Sequence, residues 1–485
     1  MNHFPGTLMY GCTCVQQPKS IDVATADART HVTRLVSRLR HRSEVMINRS
    51  VHKDRRERRS PPNDQRLQHD STISASSSRM TTGDECPGRL RGHVVGLQDE
   101  SDSELYSSLI GTCNSSPMAT STQVNPPSFQ KGSVGAYKEL AYGKYDKERE
   151  LDLTAKFGAA SYPNYLPVWD NENGEVYKPL TPFEHYEHGK DADPTFPNLL
   201  KDGTTIEDIT ASIGAEVKGI QLSQLNDAGK DELALLVARK KVVAFRDQDL
   251  ASLPIEKALD LGRYFGRLHI HPTSGAPAGY PEVHLVHRAA EDKSGLEFLN
   301  SRTNSVAWHS DVTYEQNPPG TTFLYALDVP KAGGDTLFVN QAKAYERLSP
   351  AFRERLAGLQ AVHSGYEQAT AAQNRGSFVR RNPVSSIHPV VRTHPATGEK
   401  ALFVNPQFTR YIVGFKQEES DYLLKFLYDH IALSADIQAR VRWQPGTVVV
   451  WDNRVTAHSA LVDWDDGQRR HIARITPQAE RPTET

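Results

Sequence analysis

Apolar residues keep no period over the first 135 or so positions of this chain, and only further on do two recognisable periods set in. Residues 229–239 (GKDELALLVAR) place apolar side chains at helical spacing, and 241–248 (KVVAFRDQ) behind them read as a short buried strand. A second helix is predicted over 254–264, ending at the glycine of FGRLHIHP. Strand-like runs separated by turn residues follow: TTFLYALDV, DTLFVN, AVHSGY, ALFVN, TVVVWDN and RRHIARI. Two more helices fit at 340–358 and 418–431. Many short strands with few helices predict a mainly β domain, a sandwich or barrel with helices packed outside it, over 204–480.

The segments before this domain differ from it in composition. Residues 1–135 hold an Arg-rich stretch and then Ser/Thr-rich sequence, with few aromatic residues to build a core, so disorder is expected. The run HKDRRERR reads as a solvated basic tail ahead of a nuclear-import signal, and no apolar stretch of a secretory leader precedes it. Residues 136–203 are rich in Tyr, Pro, Lys and acidic side chains without a period, which predicts an extended arm lying against the folded domain.

Composition removes several functions. A net charge of -2 gives no electrostatic reason to expect nucleic acid or an anionic membrane as partner. No apolar run reaches the roughly 18 residues of a membrane span. The four cysteines, Cys12, Cys14, Cys86 and Cys113, all precede the β domain, so no disulfide framework supports it, which suits a reducing, cytoplasmic setting. Cys12 and Cys14 lack a second pair at zinc-finger spacing.

The candidate chemistry sits in WHSDVTYEQNPPGTTF. His309 and Asp311 are two residues apart, so on extended backbone both side chains leave one face and can grip one ion. Alone, H-x-D is a weak signal, more often a surface pair. His458, in WDNRVTAHSA, is the best third ligand. Two imidazoles and one carboxylate leave positions open for a bidentate co-substrate and dioxygen, the arrangement of non-haem iron(II) oxygenases. In RRHIARIT, alternation puts Arg470, Ile472, Arg474 and Thr476 on one face. If that face points inward, two guanidiniums about 13 Å apart enter the core and require anions. One could be the far carboxylate of 2-oxoglutarate and the other an anionic substrate. If it points outward they are solvated, or pair with Asp463, Asp465 or Asp466.

The segments WHSDVTYEQNPPG, AGGDTLFVN, HPVVRTHPATGEKALFVN, VRWQPGTVVVWDNRVTAH and QRRHIARIT, with FRDQ and FGRLHIHP upstream, closely resemble the taurine dioxygenase (TauD/TfdA-like) family. The resemblance covers about residues 205–480 and implies a double-stranded β-helix (jelly-roll) core. It implies His309, Asp311 and His458 as iron(II) ligands, Thr336 and Arg470 as the anchor of 2-oxoglutarate, and Trp451 beside that anchor. His271, Val312, Tyr314, Phe408 and Arg474 match substrate-pocket positions, with Arg474 and His271 facing the sulfonate in the taurine enzyme. The taurine enzyme has a tyrosine and an asparagine where this chain has Ser274 and Ser305, which implies a roomier pocket and weaker selection for taurine's ammonium.

The implied reaction consumes 2-oxoglutarate and O2, hydroxylates the carbon next to a sulfonate, and releases sulfite and an aldehyde with succinate and carbon dioxide. Alkylsulfatase and aryloxyalkanoate dioxygenase members share the same core motifs. A jumonji-type protein demethylase is disfavoured by Arg470, twelve residues after His458, where those enzymes usually use a lysine on another strand. A non-catalytic jelly-roll binding protein is disfavoured by the intact ligand set. The expected partner is a small anionic organic molecule, and assembly into a homo-oligomer is compatible with the sequence. His269, His363, His388 and His394 are expected to be structural, Asp335 to serve a turn, and Tyr411 and Tyr422 to pack.

Overall fold

Neighbouring residues of the central strands go to different cores, and this alternation organises the molecule. In β13 (Val448–Asp452), Val448 and Val450 enter one hydrophobic cluster while Val449 and Trp451 enter another. The structure, a computed structural model, describes residues 154–168, 177–374, 377–465 and 467–485. The cysteines, the basic run and the rest of 1–135, together with Asp466, lie outside the described residues.

A seven-stranded sheet runs in the order β1 (Thr205–Asp208), β2 (Ala215–Lys218), β3 (Val242–Phe245), β13, β5 (Thr321–Asp328), β15 (Arg470–Ile475), β4 (Val283–Arg288). Its one parallel pair is β2–β3, and the crossover between them is helix α1 (Asp227–Lys240). With α2 (Ile255–Phe265), α1 covers one face, burying Val243, Phe245, Phe323, Tyr325, Val450 and Ile475. The other face packs on a three-stranded sheet of β12 (Gln438–Val441), β6 (Thr336–Asn340) and β14 (Thr456–Ala460). Phe338, Ala439 and Val441 from the smaller sheet meet Ala244, Leu324, Val449 and Ile472 from the larger. This is the jelly-roll core with flanking helices that the sequence predicts. The function-bearing strands β6, β14 and β15 line the space between the two sheets.

A further core forms around β7 (Gln360–Ser364), which pairs with β8 (Ser385–Pro389) and β11 (Thr409–Ile412), and the β9–β10 hairpin (Val391–Thr393, Lys400–Leu402). Three of its helices are α4 (Gln341–Glu346), α5 (Pro350–Leu356) and α7 (Gln417–Leu433). The single helix expected over 340–358 is broken. Pro350 has no N–H to continue it, and the Ser349 hydroxyl accepts from Phe352 N at 3.3 Å, starting a new helix. Tyr422 on α7 is 77% exposed, which corrects its reading as a packing residue. The sequence reading also did not list β4, nor helices α3 (Ser294–Ser301) and α6 (Tyr366–Asn374).

Ahead of β1, Tyr165 is fully buried, its ring 5.9 Å from Tyr325, and Leu199 is likewise buried. Glu187 reaches Arg454, which also pairs with Asp452 and Glu480. Among the described residues no helix is long and apolar enough to cross a membrane.

Candidate active site

Backbone pairing brings the two histidines of the sequence motif together. His309 N donates to His458 O at 3.0 Å and His458 N to His309 O at 2.7 Å, so the two ligand-bearing segments lie side by side. Asp311 is clamped from β13's end: Asn453 Oδ1 accepts from its backbone N at 2.7 Å, and Asn453 Nδ2 donates to its carbonyl at 3.1 Å. The next residue, Val312, adopts φ 39°. A β-branched side chain is strained in that left-handed region, and the clamp is what holds it there.

The His309 and His458 Nε2 atoms each stand 3.7 Å from Asp311 Oδ1, and the three ligand atoms lie within 4.8 Å of one another. His309 Nδ1 lies 2.8 Å from the Ala307 carbonyl, which can only accept; Nδ1 therefore carries the proton and Nε2 a free lone pair. Burial keeps both imidazoles neutral, His458 down to about 3. Burial pushes the Asp311 carboxyl up, but the Arg474 guanidinium, donating to it at 2.6 Å, outweighs this and holds it below the usual range. Asp311 Oδ2 is buried without a hydrogen-bond partner. Two neutral imidazoles, an ionised carboxylate and an orphaned carboxylate oxygen are the donor set a divalent metal requires, so these residues fit the implied ion.

The triad opens into a cavity of about 180 Å³, of small-molecule size. The face of β15 left open by alternation points inward: Arg470, Ile472 and Arg474 all line the cavity, and Arg470 and Arg474 are buried. Arg470 Nε donates to Gly334 O at 2.9 Å. Gly334 has φ 66°, and a Cβ there would stand 3.1 Å from Arg470 Cδ, so the second glycine of the GGDT turn admits the arginine. Thr336 lines the same cavity, and its hydroxyl accepts from Trp443 Nε1 at 3.2 Å, leaving its own hydrogen to donate. Among the described residues, Arg474 pairs with neither Asp463 nor Asp465. Its Nη1 donates to Asp311 Oδ1 at 2.6 Å and its Nη2 to His284 Nδ1 at 3.0 Å. Asp463 instead pairs with Arg440.

His271, Ser274, Val312 and Phe408 also line the cavity. Tyr314 lies behind Phe408, rings 5.1 Å apart, with its hydroxyl donating to Gln368. Trp451 is fully buried under the metal centre, its ring 5.0 Å from that of His458, and is absent from the cavity wall. Ser305 is buried but is not among the lining residues. His284, His287, Gln368 and Gln407 are among the further lining residues and were not singled out in the sequence. The signal for His284 was there: in VHLVHR, Val283 and Leu285 alternate with His284 and Val286, as in a strand with one face on a core.

The histidines set aside are structural. His269 lies 2.9 Å from Glu315, which also pairs with the buried Arg381. His363 contacts Thr313, His388 the Glu315 carbonyl, and His394 pairs with Asp452 at 2.8 Å. Asp335 follows Gly333 and Gly334, both at positive φ, and pairs with Arg440.

Comparison with known proteins identifies the family and the relatives of this chain. The profile of the taurine catabolism dioxygenase TauD, TfdA family matches residues 205–476. The alpha-ketoglutarate-dependent sulfonate dioxygenase of Saccharomyces cerevisiae is 45% identical over 67% of this chain and 79% of its own length. The alpha-ketoglutarate-dependent sulfate ester dioxygenase of Pseudomonas putida is 32% identical over 57% of this chain and 93% of its own. A crystal structure of a putative alpha-ketoglutarate-dependent taurine dioxygenase from Burkholderia xenovorans aligns with a TM-score of 0.49, at 32% identity, over 58% of this chain and 95% of that one. With its profile match spanning more than half the sequence, the chain belongs to the TauD/TfdA family of 2-oxoglutarate-dependent dioxygenases.

Proposed function

We propose that the protein is an iron(II)- and 2-oxoglutarate-dependent dioxygenase that oxidises the carbon next to a sulfonate. The observation that carries this reading is one cavity bounded by the His309–Asp311–His458 set and two buried arginines of one strand. Two anions can then be held at once beside one metal. His309, Asp311 and His458 hold the iron, which with 2-oxoglutarate and dioxygen supplies the chemistry that puts an oxygen atom into a C–H bond.

The chain's own residues do the rest. Arg470 and Thr336 hold the far carboxylate of 2-oxoglutarate, and Arg474 with His271 takes the sulfonate. Phe408 and Val312 exclude water from the reacting carbon. Once that carbon carries a hydroxyl, its proton is lost, the C–S bond breaks with its electron pair leaving on sulfite, and an aldehyde remains. Sulfur scavenging in the cytoplasm is the setting this chemistry serves, in keeping with cysteines confined to the first 113 residues.

A sulfate ester is the second reading, because it presents the same three-oxygen head and relatives in Pseudomonas putida and Acinetobacter baylyi are named for it. The test is succinate formation from 2-oxoglutarate across a panel of sulfonates, sulfate esters and aryloxyacetates, with sulfite release scored for the sulfonates and sulfate release for the esters. Ser274 opens the wall where the taurine enzyme has a tyrosine, so a sulfonate with a larger tail or no amino group should show a higher kcat/KM than taurine. Taurine outperforming every other sulfonate refutes the pocket argument; turnover of carboxylates alone refutes the sulfonate reading.

A further inference from the structure

β4 and β15 are antiparallel neighbours in a register that sets His284 directly opposite Arg474. Side chains of directly opposed residues leave the same face of a sheet. The face is the one carrying Arg470, Ile472 and Arg474 into the cavity, and His284 joins them on its wall. Contact follows register: Arg474 Nη2 donates to His284 Nδ1 at 3.0 Å. A guanidinium has no lone pair to offer, so Nδ1 must be the acceptor and the neutral ring carries its hydrogen on Nε2.

The same logic fixes His271. The backbone N of Thr273 donates to His271 Nδ1 at 3.3 Å, which again leaves the hydrogen on Nε2. The two rings meet edge to face with centroids 4.2 Å apart. Neither Nε2 has a hydrogen-bond partner among the described residues, and Arg474 Nε is buried without one. Three donors of one polarity thus crowd one end of the cavity with nothing among the described residues to accept from them.

We infer that His284 is a third hydrogen-bond donor to the substrate's anionic head and makes this site select a tetrahedral sulfur oxyanion over a planar carboxylate. The inference rests on the sulfonate reading above. A sulfonate or sulfate has three terminal oxygens, one for each of Arg474, His271 and His284. A carboxylate has two, both in one plane, so the donor aimed at the sulfonate's third, out-of-plane oxygen is left poorly met, and a buried unmet donor is penalised more heavily than a made bond is rewarded. His284 also orients Arg474 by accepting from it, and the two roles are separable by substitution.

The experiment is anaerobic calorimetric titration of the enzyme loaded with iron(II) and 2-oxoglutarate, using butane-1-sulfonate and pentanoate, which differ only in the head group. Wild type should prefer the sulfonate. His284→Leu should weaken sulfonate binding about tenfold and pentanoate binding much less, so that the preference collapses. His284→Gln, whose amide can accept from Arg474 and donate with its nitrogen, should restore most of the preference. In turnover the Leu variant should lose its efficiency through KM rather than kcat. Equal losses for both anions in both variants, or a preference unchanged in His284→Leu, overturn the assignment of His284 while leaving the sulfonate reading intact. Binding of neither anion by wild type sinks the sulfonate reading, and this inference with it.

Discussion

Truncating Arg470 to alanine separates the two anion sites of the cavity. The guanidinium is 2% exposed, and its Nε bond to Gly334 O at 2.9 Å fixes its orientation. Removing it deletes the cation proposed to answer the far carboxylate of 2-oxoglutarate and leaves a carbonyl without its donor. Loss of a buried charge-assisted pair of this kind costs about 2–5 kcal/mol. At about 1.4 kcal/mol per factor of ten, the 2-oxoglutarate affinity should fall roughly 30- to 4000-fold. Anaerobic titration of the iron-loaded variant with 2-oxoglutarate measures this directly, and the apparent KM for the sulfonate, taken at saturating 2-oxoglutarate, should change little. Gly334→Ala should move the same constant in the same direction by less, because its Cβ would stand only 3.1 Å from the arginine's Cδ and Nε at a φ of 66°. A variant in which only the sulfonate requirement rises would show that Arg470 and Arg474 have exchanged roles.

Acid should destabilise the metal-free protein before its carboxylates titrate. Burial holds His287 and His388 neutral, each down to about 3, whereas the unfolded chain takes up these protons near pH 6.5. The stability is therefore complete above about pH 6.5 and is lost as pH falls toward 3, by up to about 1.4 kcal/mol per pH unit for each histidine; urea unfolding at pH 7 and pH 5 that gives equal free energies refutes this. Arg454→Met should cost about 3–5 kcal/mol, because Asp452, Glu187 and Glu480 lose their shared buried cation. A melting temperature within a degree or two of wild type would show that water replaces it.

What could be read from the sequence follows the range over which each signal acts. The two-residue period of RRHIARIT is local and survives as one inward face, and H-x-D is local too, its two side chains meeting although Asp311 already lies in a turn rather than on a strand. The helices at 227–240 and 255–265 were legible for the same reason, since a 3.6-residue period repeats within a single element. Pro350 cut a helix because a proline ring forbids what the apolar pattern permits. The partners of Arg474 were not legible. Asp311 lies 163 residues away, and only the pairing of β15 with β4 and β5 brings either Asp311 or His284 within reach. Ser305 shows the converse: a position matched by resemblance need not reach the cavity, so the argument for a wider pocket rests on Ser274.

The division of labour between strands bears on how substrate preference can change without loss of the fold. On β15, Ala473 and Ile475 bury into the helix-covered core, whereas Arg470, Ile472 and Arg474 face the cavity. On β4, Val283 does the former and His284 and Val286 the latter, while Leu285 touches both the core and the cavity. A change at 284 or 274 therefore alters which head group or tail is accepted while the helix-covered packing is untouched. The metal centre has no such independence. His458 is flanked by Phe338 at 5.8 Å and Trp451 at 5.0 Å, two of the largest side chains of the inter-sheet core, so the iron ligand and the core share their contacts. Shortening either ring opens a cavity in the core and frees the imidazole in one stroke. On the proposed reading, specificity resides where Arg474, His271 and His284 line the cavity, and the metal-dependent chemistry is anchored where the two sheets pack on each other.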